Sequence, residues 1–186
     1  KRSAQAGRPW VVCLDGVGPD TIAVTPDGPD NNHDAIRKSV LWNVLMAGGA
    51  GCAWNFGAAL PESNLTCEDW HSRENMWNYT RHALKFFESY LPFDEMTPRD
   101  DLVAGGLARC LASTGEIYAL YLPSGGSVSL DLEQNTSTYA VYWYDPRHGG
   151  PLKLGATVAG PGVQTVGPPP EDAQEDWAAL IVSPSN

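Results

Sequence analysis

The sequence predicts an α/β plus all-β protein, in which the last βα units of a TIM-type barrel are followed by a small antiparallel β-sandwich. Residues 10–14 form a continuous apolar run that ends at Asp15, as in parallel strands covered by helices on both faces. Residues 33–57 have the pattern of an amphipathic helix, a glycine-rich turn and a short strand carrying aromatic residues. Farther along the chain the hydrophobic period changes from that of a helix to that of a strand. We therefore expect the barrel portion over residues 1–98 and the sandwich over residues 99–186.

Two helices are predicted in the first portion. The first covers residues 33–47 and ends before Gly48, which suits the left-handed conformation after a helix C-terminus. The second covers residues 73–91, with Ser72 as its N-cap and Pro92 directly after its end. In both segments apolar residues recur at helical spacing, which predicts that one face of each helix is buried.

Short segments of alternating hydrophobicity predict the strands of the sandwich, and turns rich in Gly, Ser and Pro separate them. The segments are 108–112, 116–122, 127–132, 138–144 and 177–182. The stretch 155–170 is rich in Gly, Val and Pro, and it is either a long loop or a pair of edge strands.

The strand that contains Trp143 has two different faces. Because side chains alternate along a strand, Tyr139, Val141 and Trp143 lie on one face. We expect this face to form part of the core, since it carries the largest side chain. Tyr142 and Tyr144 would then form an aromatic pair at the surface of the sandwich, available for packing on the barrel helices or on a ligand.

The length of the chain fits this organisation only if part of the barrel lies elsewhere. A complete eight-unit barrel typically needs about 250 residues, whereas this chain has 186 and opens on Lys1. We expect a C-terminal portion of a longer polypeptide. An isolated pair of parallel strands has unpaired edges, so the expected partners are the missing N-terminal barrel portion or other copies of the chain.

The composition is acidic and rich in tryptophan. There are 12 Lys and Arg against 22 Asp and Glu, the net charge is −10, and no basic run is present. Nucleic acid and an anionic membrane are therefore disfavoured as partners. The seven Trp, together with a charged fraction of only 18%, are typical of secreted carbohydrate-active proteins.

The four cysteines do not predict a metal site. None of them forms a CxxC pair and no His stands at metal-ligand spacing, so neither a metal nor another cofactor is expected. Cys13 and Cys52 lie in predicted buried strands, either as apolar thiols or as a disulfide. Cys67 and Cys110 lie in less regular segments and could form a bridge outside the cell. The sequence leaves the connectivity open.

Four segments resemble the C-terminal half of apiosidase-like glycoside hydrolases, which are barrel enzymes followed by a small β-sandwich labelled as a collagen-binding type. The segments are LWNVLMAGGAGCAWNFG, EDWHSRENMWNYTRHALKFF, YWYDPRHGG and EDWAALIV. The resemblance covers residues 9–182. It implies the fold described above, a secreted or extracellular location, and a polysaccharide or other glycan as partner.

The resemblance also implies retaining glycoside hydrolysis, in which one carboxylic acid protonates the leaving oxygen and another carboxylate attacks the sugar. The nucleophile would be Asp15, and the acid/base would come from a strand that this chain does not contain. Gly16 stands where the related sequences commonly have a second acidic residue. Whether the chain is an enzyme is therefore open, because Asp15 could equally cap the turn that follows it.

Two groups of aromatic and polar residues are candidates for substrate binding, since aromatic rings stack on the apolar faces of sugars. The candidates are Trp54, Asn55 and Phe56 after the second predicted strand, and Asp69, Trp70 and His71 in a loop that also contains Glu68. The alternative for the first group is that its side chains pack in the core. The alternative for the second group is that its side chains only fix the conformation of the loop.

Three sequons are present, and two of them could carry N-linked glycans. These two are at Asn64 and Asn135, whereas the third, at Asn78, lies in a predicted helix. Two function classes follow from the whole sequence. One is the C-terminal portion of a secreted glycoside hydrolase-like protein that acts on or binds polysaccharide. The other is a non-catalytic structural or adhesive module that self-assembles or packs against a partner chain.

Overall fold

The computed structural model describes residues 7, 10–17, 23–58, 62–64, 66 and 69–183. The chain divides into two compact units, Lys1–Thr80 and Arg81–Asn186, called here the first and the second unit. Among the described residues, no helix is both long enough and apolar enough to cross a membrane.

The first unit contains a small parallel sheet and not the end of a barrel. Strand β1 (Leu14–Val17) pairs with strand β2 (Cys52–Trp54). The predicted fold class, barrel units followed by a sandwich, is wrong: the structure consists mostly of three β-sheets with two longer helical segments, and its described part contains no barrel fragment. The apolar run before β1 misled the prediction. This run is exposed, with 87% of the Val11 surface accessible. Its apolar residues therefore do not belong to a strand that is buried on both faces.

Helix α1 is built from three consecutive pieces, His33–Ile36, the π-helical Arg37–Leu41 and Trp42–Met46. Together they lie within the helix predicted from the sequence. Buried side chains recur first five residues apart, from Ile36 to Leu41, and then four residues apart, to Leu45. The wider spacing is that of i→i+5 hydrogen bonds in a π-helical turn.

Helix α2 (Glu74–Tyr90) follows one 3-10 turn, Trp70–Arg73. Ser72, the predicted N-cap, does not have this role. The carboxylate of Asp69 instead caps the 3-10 turn, because it accepts a hydrogen bond from the backbone N–H of His71 at 3.0 Å. The N-cap that the sequence pattern assigned to the α-helix therefore belongs to the 3-10 turn that precedes it.

The second unit contains nine strands, which form two antiparallel sheets in the described residues. The strands are β3 (Thr97–Pro98), β4 (Val103–Ala104), β5 (Arg109–Ser113), β6 (Ile117–Leu122), β7 (Val128–Asp131), β8 (Thr138–Tyr144), β9 (Lys153–Ala159), β10 (Val163–Val166) and β11 (Trp177–Val182). The larger sheet has the order β3-β5-β6-β11-β8-β9, and the smaller has the order β10-β7-β4. The bounds of β8 and β11 are those predicted. The open alternative for residues 155–170 is settled in favour of two strands, β9 and β10, each at the edge of its sheet.

The two sheets of the second unit share one hydrophobic core. Strand β6 is buried along its whole length, and it pairs on one side with β5 and on the other with β11. The smaller sheet contributes Val128, Leu130 and Val166 to the same core. This continuous burial of apolar area is the main stabilising contribution in the second unit.

Strand β8 is buried on both faces near its end. Tyr139, Val141 and Trp143 lie in the core, as predicted. Tyr144 is not a surface residue, but it packs on a helix, which is one of the two possibilities considered for the tyrosine pair. It is fully buried, its ring centroid lies 5.1 Å from that of Phe86, and its hydroxyl donates to the backbone oxygen of His82 at 2.9 Å. The part of α2 that belongs to the second unit thus covers this face.

A polar turn follows β8. The carboxylate of Asp145 accepts hydrogen bonds from the backbone N–H and the guanidinium of Arg147 at 2.8 to 3.0 Å, and it lies 3.0 Å from Nδ1 of His148. Burial raises the pKa of Asp145, but the hydrogen bonds from Arg147 and His148 outweigh it, so the pKa lies below its ordinary value of 3.8. The turn therefore depends on an ionised carboxylate.

Candidate functional site

Asp15, the candidate nucleophile, lies in β1 with an exposed side chain. Within the part of the chain that the structure describes, its carboxylate makes no hydrogen bond and no ion pair. Most of the turn that it could cap, residues 18–20, lies outside the described residues. Its role as a nucleophile or as a cap stays a prediction.

The segment after β2 is fixed by a pair of asparagines. The side-chain oxygen of Asn55 accepts a hydrogen bond from the backbone N–H of Gly57 at 3.0 Å and another from the side-chain amide of Asn64. In return, the side-chain oxygen of Asn64 accepts from the backbone N–H of Phe56 at 2.8 Å. Asn55 therefore shapes the loop that presents Phe56, and both amides are already engaged in the protein.

Phe56 belongs to a group of aromatic residues that we call the aromatic cluster: Phe56, Trp70, His71 and Trp77. The ring centroids of Phe56 and Trp77 are 5.7 Å apart, and the indole N–H of Trp77 donates to the backbone oxygen of Trp70 at 2.7 Å. The ring of Trp70 stacks on that of His71, with 3.8 Å between the centroids. All four residues belong to the first unit.

Trp70 and His71 form the exposed part of the aromatic cluster. The surface of Trp70 is 59% accessible and the side chain of His71 is 57% accessible, whereas Phe56 and Trp77 are half-buried. Carboxylates lie beside this exposed part: Oε2 of Glu74 is 3.7 Å from Nδ1 of His71, and Asp69 caps the 3-10 turn. An exposed aromatic face bordered by polar groups can stack on the apolar face of a sugar while the polar groups bind its hydroxyls.

A buried arginine holds the aromatic cluster in place. Arg73 has no exposed surface, and its guanidinium carbon lies 4.5 Å from the ring centroid of Phe56, which is a cation–π contact. Its Nε donates to the backbone oxygen of Val24 at 3.1 Å, and Nη1 donates to the hydroxyl of Ser72 at 2.7 Å. The guanidinium thereby ties a segment 49 residues earlier in the chain to the start of α2.

The structure brings together three of the predicted site residues, Phe56, Trp70 and His71, with one that the sequence analysis missed, Trp77. The missed signal is the spacing of seven residues between Trp70 and Trp77, which places both on one side of a helical segment. In the described part of the chain, neither Trp54 nor Asp15 has a ring contact or hydrogen bond with the aromatic cluster. Glu68 lies outside the described residues.

The asparagine of the second candidate sequon, Asn135, makes a hydrogen bond within the protein, as Asn64 does. The side-chain nitrogen of Asn135 donates to the backbone oxygen of Gly115 at 3.1 Å. This nitrogen is the atom to which an N-linked glycan would be attached. Attachment at Asn64 or Asn135 would therefore replace a hydrogen bond within the protein.

The described residues contain no group of three or more His, Cys, Asp and Glu side chains that could hold a metal ion. Cys13, expected in a buried strand, is exposed because it precedes β1 in the accessible apolar run. Burial raises the pKa of the half-buried Cys52 to about 11 and that of Cys110 to about 12, so both stay protonated thiols. Cys67, the other half of the bridge considered for Cys110, lies outside the described residues.

Comparison with known proteins relates the chain to two kinds of protein. A family model described as "Putative collagen-binding domain of a collagenase" matches residues 98–183. A solved structure named glycoside hydrolase superimposes with a TM-score of 0.68 at 16% sequence identity, over 99% of this chain and 44% of that chain. A glycoside hydrolase family 5 protein from Bacteroides vulgatus ATCC 8482 superimposes with a TM-score of 0.67 at 16% identity, over 97% of this chain and 43% of that chain.

These comparisons show a shared fold. The chain spans less than half the length of the solved structures that it matches. None of the curated proteins matches it in sequence. The chain is thus glycoside hydrolase-like in fold and carries a segment similar to a collagen-binding-like domain; a specific likeness to apiosidases is not among the findings.

Proposed function

We propose that this chain is a glycan-binding module that acts outside the cell and does not itself hydrolyse the glycan. The observation that carries the proposal is the exposed face of Trp70, which is stacked on His71 and linked through Trp77 to a buried support. An exposed aromatic ring whose orientation is already fixed offers a sugar a stacking face and loses little freedom when the sugar binds. The neighbouring carboxylates of Asp69 and Glu74 would accept hydrogen bonds from sugar hydroxyls.

A neutral polysaccharide is the class of ligand that fits best. The chain has a net charge of −10, which repels polyanions. Stacking on an aromatic face requires only the C–H face of a sugar ring and no charge. The seven Trp and the low charged fraction also support a location outside the cell.

The proposal excludes hydrolysis because the sequence does not supply the pair of carboxyl groups that the reaction needs. Retaining hydrolysis needs two carboxyl groups about 5 to 5.5 Å apart. Asp15 is followed by Gly16, which has no side chain and stands where a second acidic residue was expected. If the chain is incubated with neutral polysaccharides, we expect no release of reducing ends. Release that disappears in Asp15→Asn would overturn this part of the proposal.

The binding test is affinity electrophoresis of the full chain in gels that contain xylan, arabinan, galactomannan or hydroxyethylcellulose. We expect at least one of these polysaccharides to retard the chain, and Trp70→Ala to lose the retardation. Phe93→Ala is the matched control, because Phe93 is a 53% exposed aromatic residue of the second unit. The proposal fails if Trp70→Ala is retarded as strongly as the unmodified chain, or if no gel retards the unmodified chain.

A second function, a structural or adhesive module that associates with another protein surface, is favoured by one observation. The residues before β1 and the first residue of that strand expose apolar side chains, with accessible fractions of 87% for Val11, 51% for Val12 and 44% for Leu14. Apolar patches of this kind mark association surfaces. Sedimentation equilibrium across a wide concentration range tests it: self-association that Val11→Glu abolishes supports this function, and a monomer at every concentration counts against self-assembly.

A further inference from the structure

A small cavity lies in the second unit between the edges of its two sheets. Its volume is about 100 Å³, and its walls come from β8, β9, β10 and the segment after β10. The walls are mostly apolar and include Val141, Val158 and Val166, while the exposed Thr165 and Pro168 lie at the rim. The cavity is thus open to solvent at one side and apolar inside.

One polar atom in the cavity wall has no partner among the described residues. Trp143 is only 2% exposed, and its indole N–H donates to no described acceptor. Gly155, which lines the same cavity, faces this edge of the indole: a Cβ at Gly155 would lie 2.7 Å from Nε1 and 2.8 Å from Cδ1. A glycine at this position therefore leaves the indole N–H open to the cavity, where it can donate a hydrogen bond to a bound group.

The edge of the larger sheet is not shaped to receive another strand. The register between β8 and β9 shifts between Ala140 and Tyr142, so Val141 lies opposite a bulge in β9. Bulges on an edge strand bend it and interrupt the row of hydrogen-bonding groups that an added strand would need. The occupant is therefore a small group that enters the cavity from the side.

The size and chemistry of the cavity restrict this group. Sites for whole small molecules have volumes of about 300–1,000 Å³, so this cavity takes one substituent. A hydroxylated sugar ring inside it would leave its hydroxyls facing apolar walls, which is unfavourable. The group that fits is uncharged, has an apolar end and carries one acceptor for the indole N–H.

We propose that this cavity binds the acetyl group of an acetylated glycan. The methyl lies against Val141 and Val166, the carbonyl oxygen accepts the hydrogen bond from Nε1 of Trp143, and the sugar ring stays outside at the rim beside Thr165. The choice of a glycan as carrier of the acetyl group rests on the proposed function. The cavity itself is separate from the aromatic cluster, since it lies in the other unit.

The test is an NMR titration of the full chain with N,N′,N″-triacetylchitotriose and, in parallel, with the fully deacetylated trimer. The side-chain N–H signal of Trp143 is assigned by its disappearance in Trp143→Phe. We expect the acetylated trimer to shift this signal and the deacetylated trimer to bind at least tenfold more weakly. Equal binding of the two trimers, or no shift with the acetylated one, overturns the proposal.

Two substitutions act on the cavity in different ways. Trp143→Phe keeps an aromatic ring but removes the donor, and Gly155→Ala fills the space next to it; we expect each to weaken binding of the acetylated trimer at least tenfold. Gly28→Ala is the matched control for Gly155→Ala, because a Cβ at Gly28 meets no atom within 4 Å. If Gly155→Ala does not fold, as judged by near-UV circular dichroism, the result for Trp143→Phe decides. Unchanged binding in that variant overturns the proposal.

Two further arms separate this proposal from its alternatives. An acetyl-lysine peptide that binds as tightly as the acetylated trimer would overturn the glycan as carrier. Trp70→Ala should leave the shift of the Trp143 signal unchanged, although we expect it to lose retardation by neutral polysaccharides. Failure of the aromatic cluster to bind glycans and failure of the cavity to bind acetyl groups are therefore measured independently.

Discussion

The two units of this chain are stabilised in different ways. In the second unit, strands from two sheets bury one continuous apolar core, and β6 is buried along its entire length. In the first unit the strands have only three and four residues, and the buried Arg73 donates to a backbone oxygen 49 residues earlier in the sequence. The comparison teaches that apolar patterning organises the second unit, whereas in the first unit buried polar contacts act together with the buried apolar side chains of α1.

Three buried basic residues show how the first unit is held together. They are His33, Arg37 and Arg73, each at most 1% exposed. Nε2 of His33 lies 2.6 Å from the backbone oxygen of Thr25, and its Nδ1 lies 3.3 Å from the carboxylate of Asp27. Contacts of this kind are strong only while every buried polar group keeps its partner.

The largest effect is expected in the core of the second unit. Trp143→Ala removes a buried indole that contacts the ring of Trp177 edge-on, with 6.4 Å between the centroids. We expect a loss of about 3–5 kcal/mol in the free energy of unfolding, measured by chemical denaturation. Leu154→Ala, in the 71% exposed position of β9, should change it by less than about 0.5 kcal/mol. If the two substitutions lowered the free energy of unfolding equally, the assignment of Trp143 to the core and of Leu154 to the surface would be wrong.

The matching test in the first unit is Arg73→Ala. It removes the donor to the backbone oxygen of Val24 and the cation on Phe56, and we expect a loss of about 2–3 kcal/mol. Lys85→Ala, at an exposed position of α2 in the second unit, removes a cation without removing a buried contact and should cost less than about 0.5 kcal/mol. If Arg73→Ala unfolds at the same denaturant concentration as Lys85→Ala, polar contacts do not organise the first unit.

Asp145 provides a pH-dependent test in the second unit. Because its folded pKa is below 3.8, ionised Asp145 stabilises the fold above the unfolded pKa, and this contribution is lost as the pH falls through the folded pKa. We expect Asp145→Asn to cost about 2 kcal/mol at neutral pH. As the pH falls through the folded pKa, the two curves of stability against pH should converge. Curves that stay parallel down to acid pH would exclude a stabilising ionised carboxylate; Asp30→Asn, at an exposed position, controls for the change in net charge.

The smallest effect concerns two tyrosines on one strand. Tyr144→Phe removes the hydroxyl that donates to the backbone oxygen of His82, and we expect a cost of about 1 kcal/mol. Tyr142→Phe should be nearly neutral, because no hydrogen bond to the hydroxyl of this half-buried residue is found in the described part of the chain. Thermal unfolding of both variants under one buffer condition makes the comparison. The account of β8 is contradicted if Tyr142→Phe is the more destabilised variant.

The sequence predicted the structure of the second unit better than that of the first. Strands β8 and β11 were predicted with their bounds, because alternation with one apolar face specifies both the strand and its register. The burial of Tyr144 was not predicted, because it depends on a helix that covers the second face of the sheet. Strands β9 and β10 remained an open alternative, since edge strands rich in Gly and Pro carry a weak alternation signal.

In the first unit the sequence predicted the positions of the helices but not what surrounds them. The apolar run before β1 suggested a buried parallel strand, and it is exposed. The burial of Arg73 has no local signature, because its partner Val24 is 49 residues away. For the same reason, the sequence indicated Phe56, Trp70 and His71 as separate candidates and could not show that Trp77 joins them.

Native-state hydrogen exchange, resolved along the chain by mass spectrometry, tests the contrast between the units most directly. Amides protected by an extensive apolar core exchange only through large openings, whereas regions held by single polar contacts open locally. We expect the slowest exchange in β6 and β11, and faster exchange in residues 23–34 and in helix α1. Exchange in α1 that is as slow as in β6 would contradict the account, because it would show that the first unit opens as rarely as the apolar core of the second.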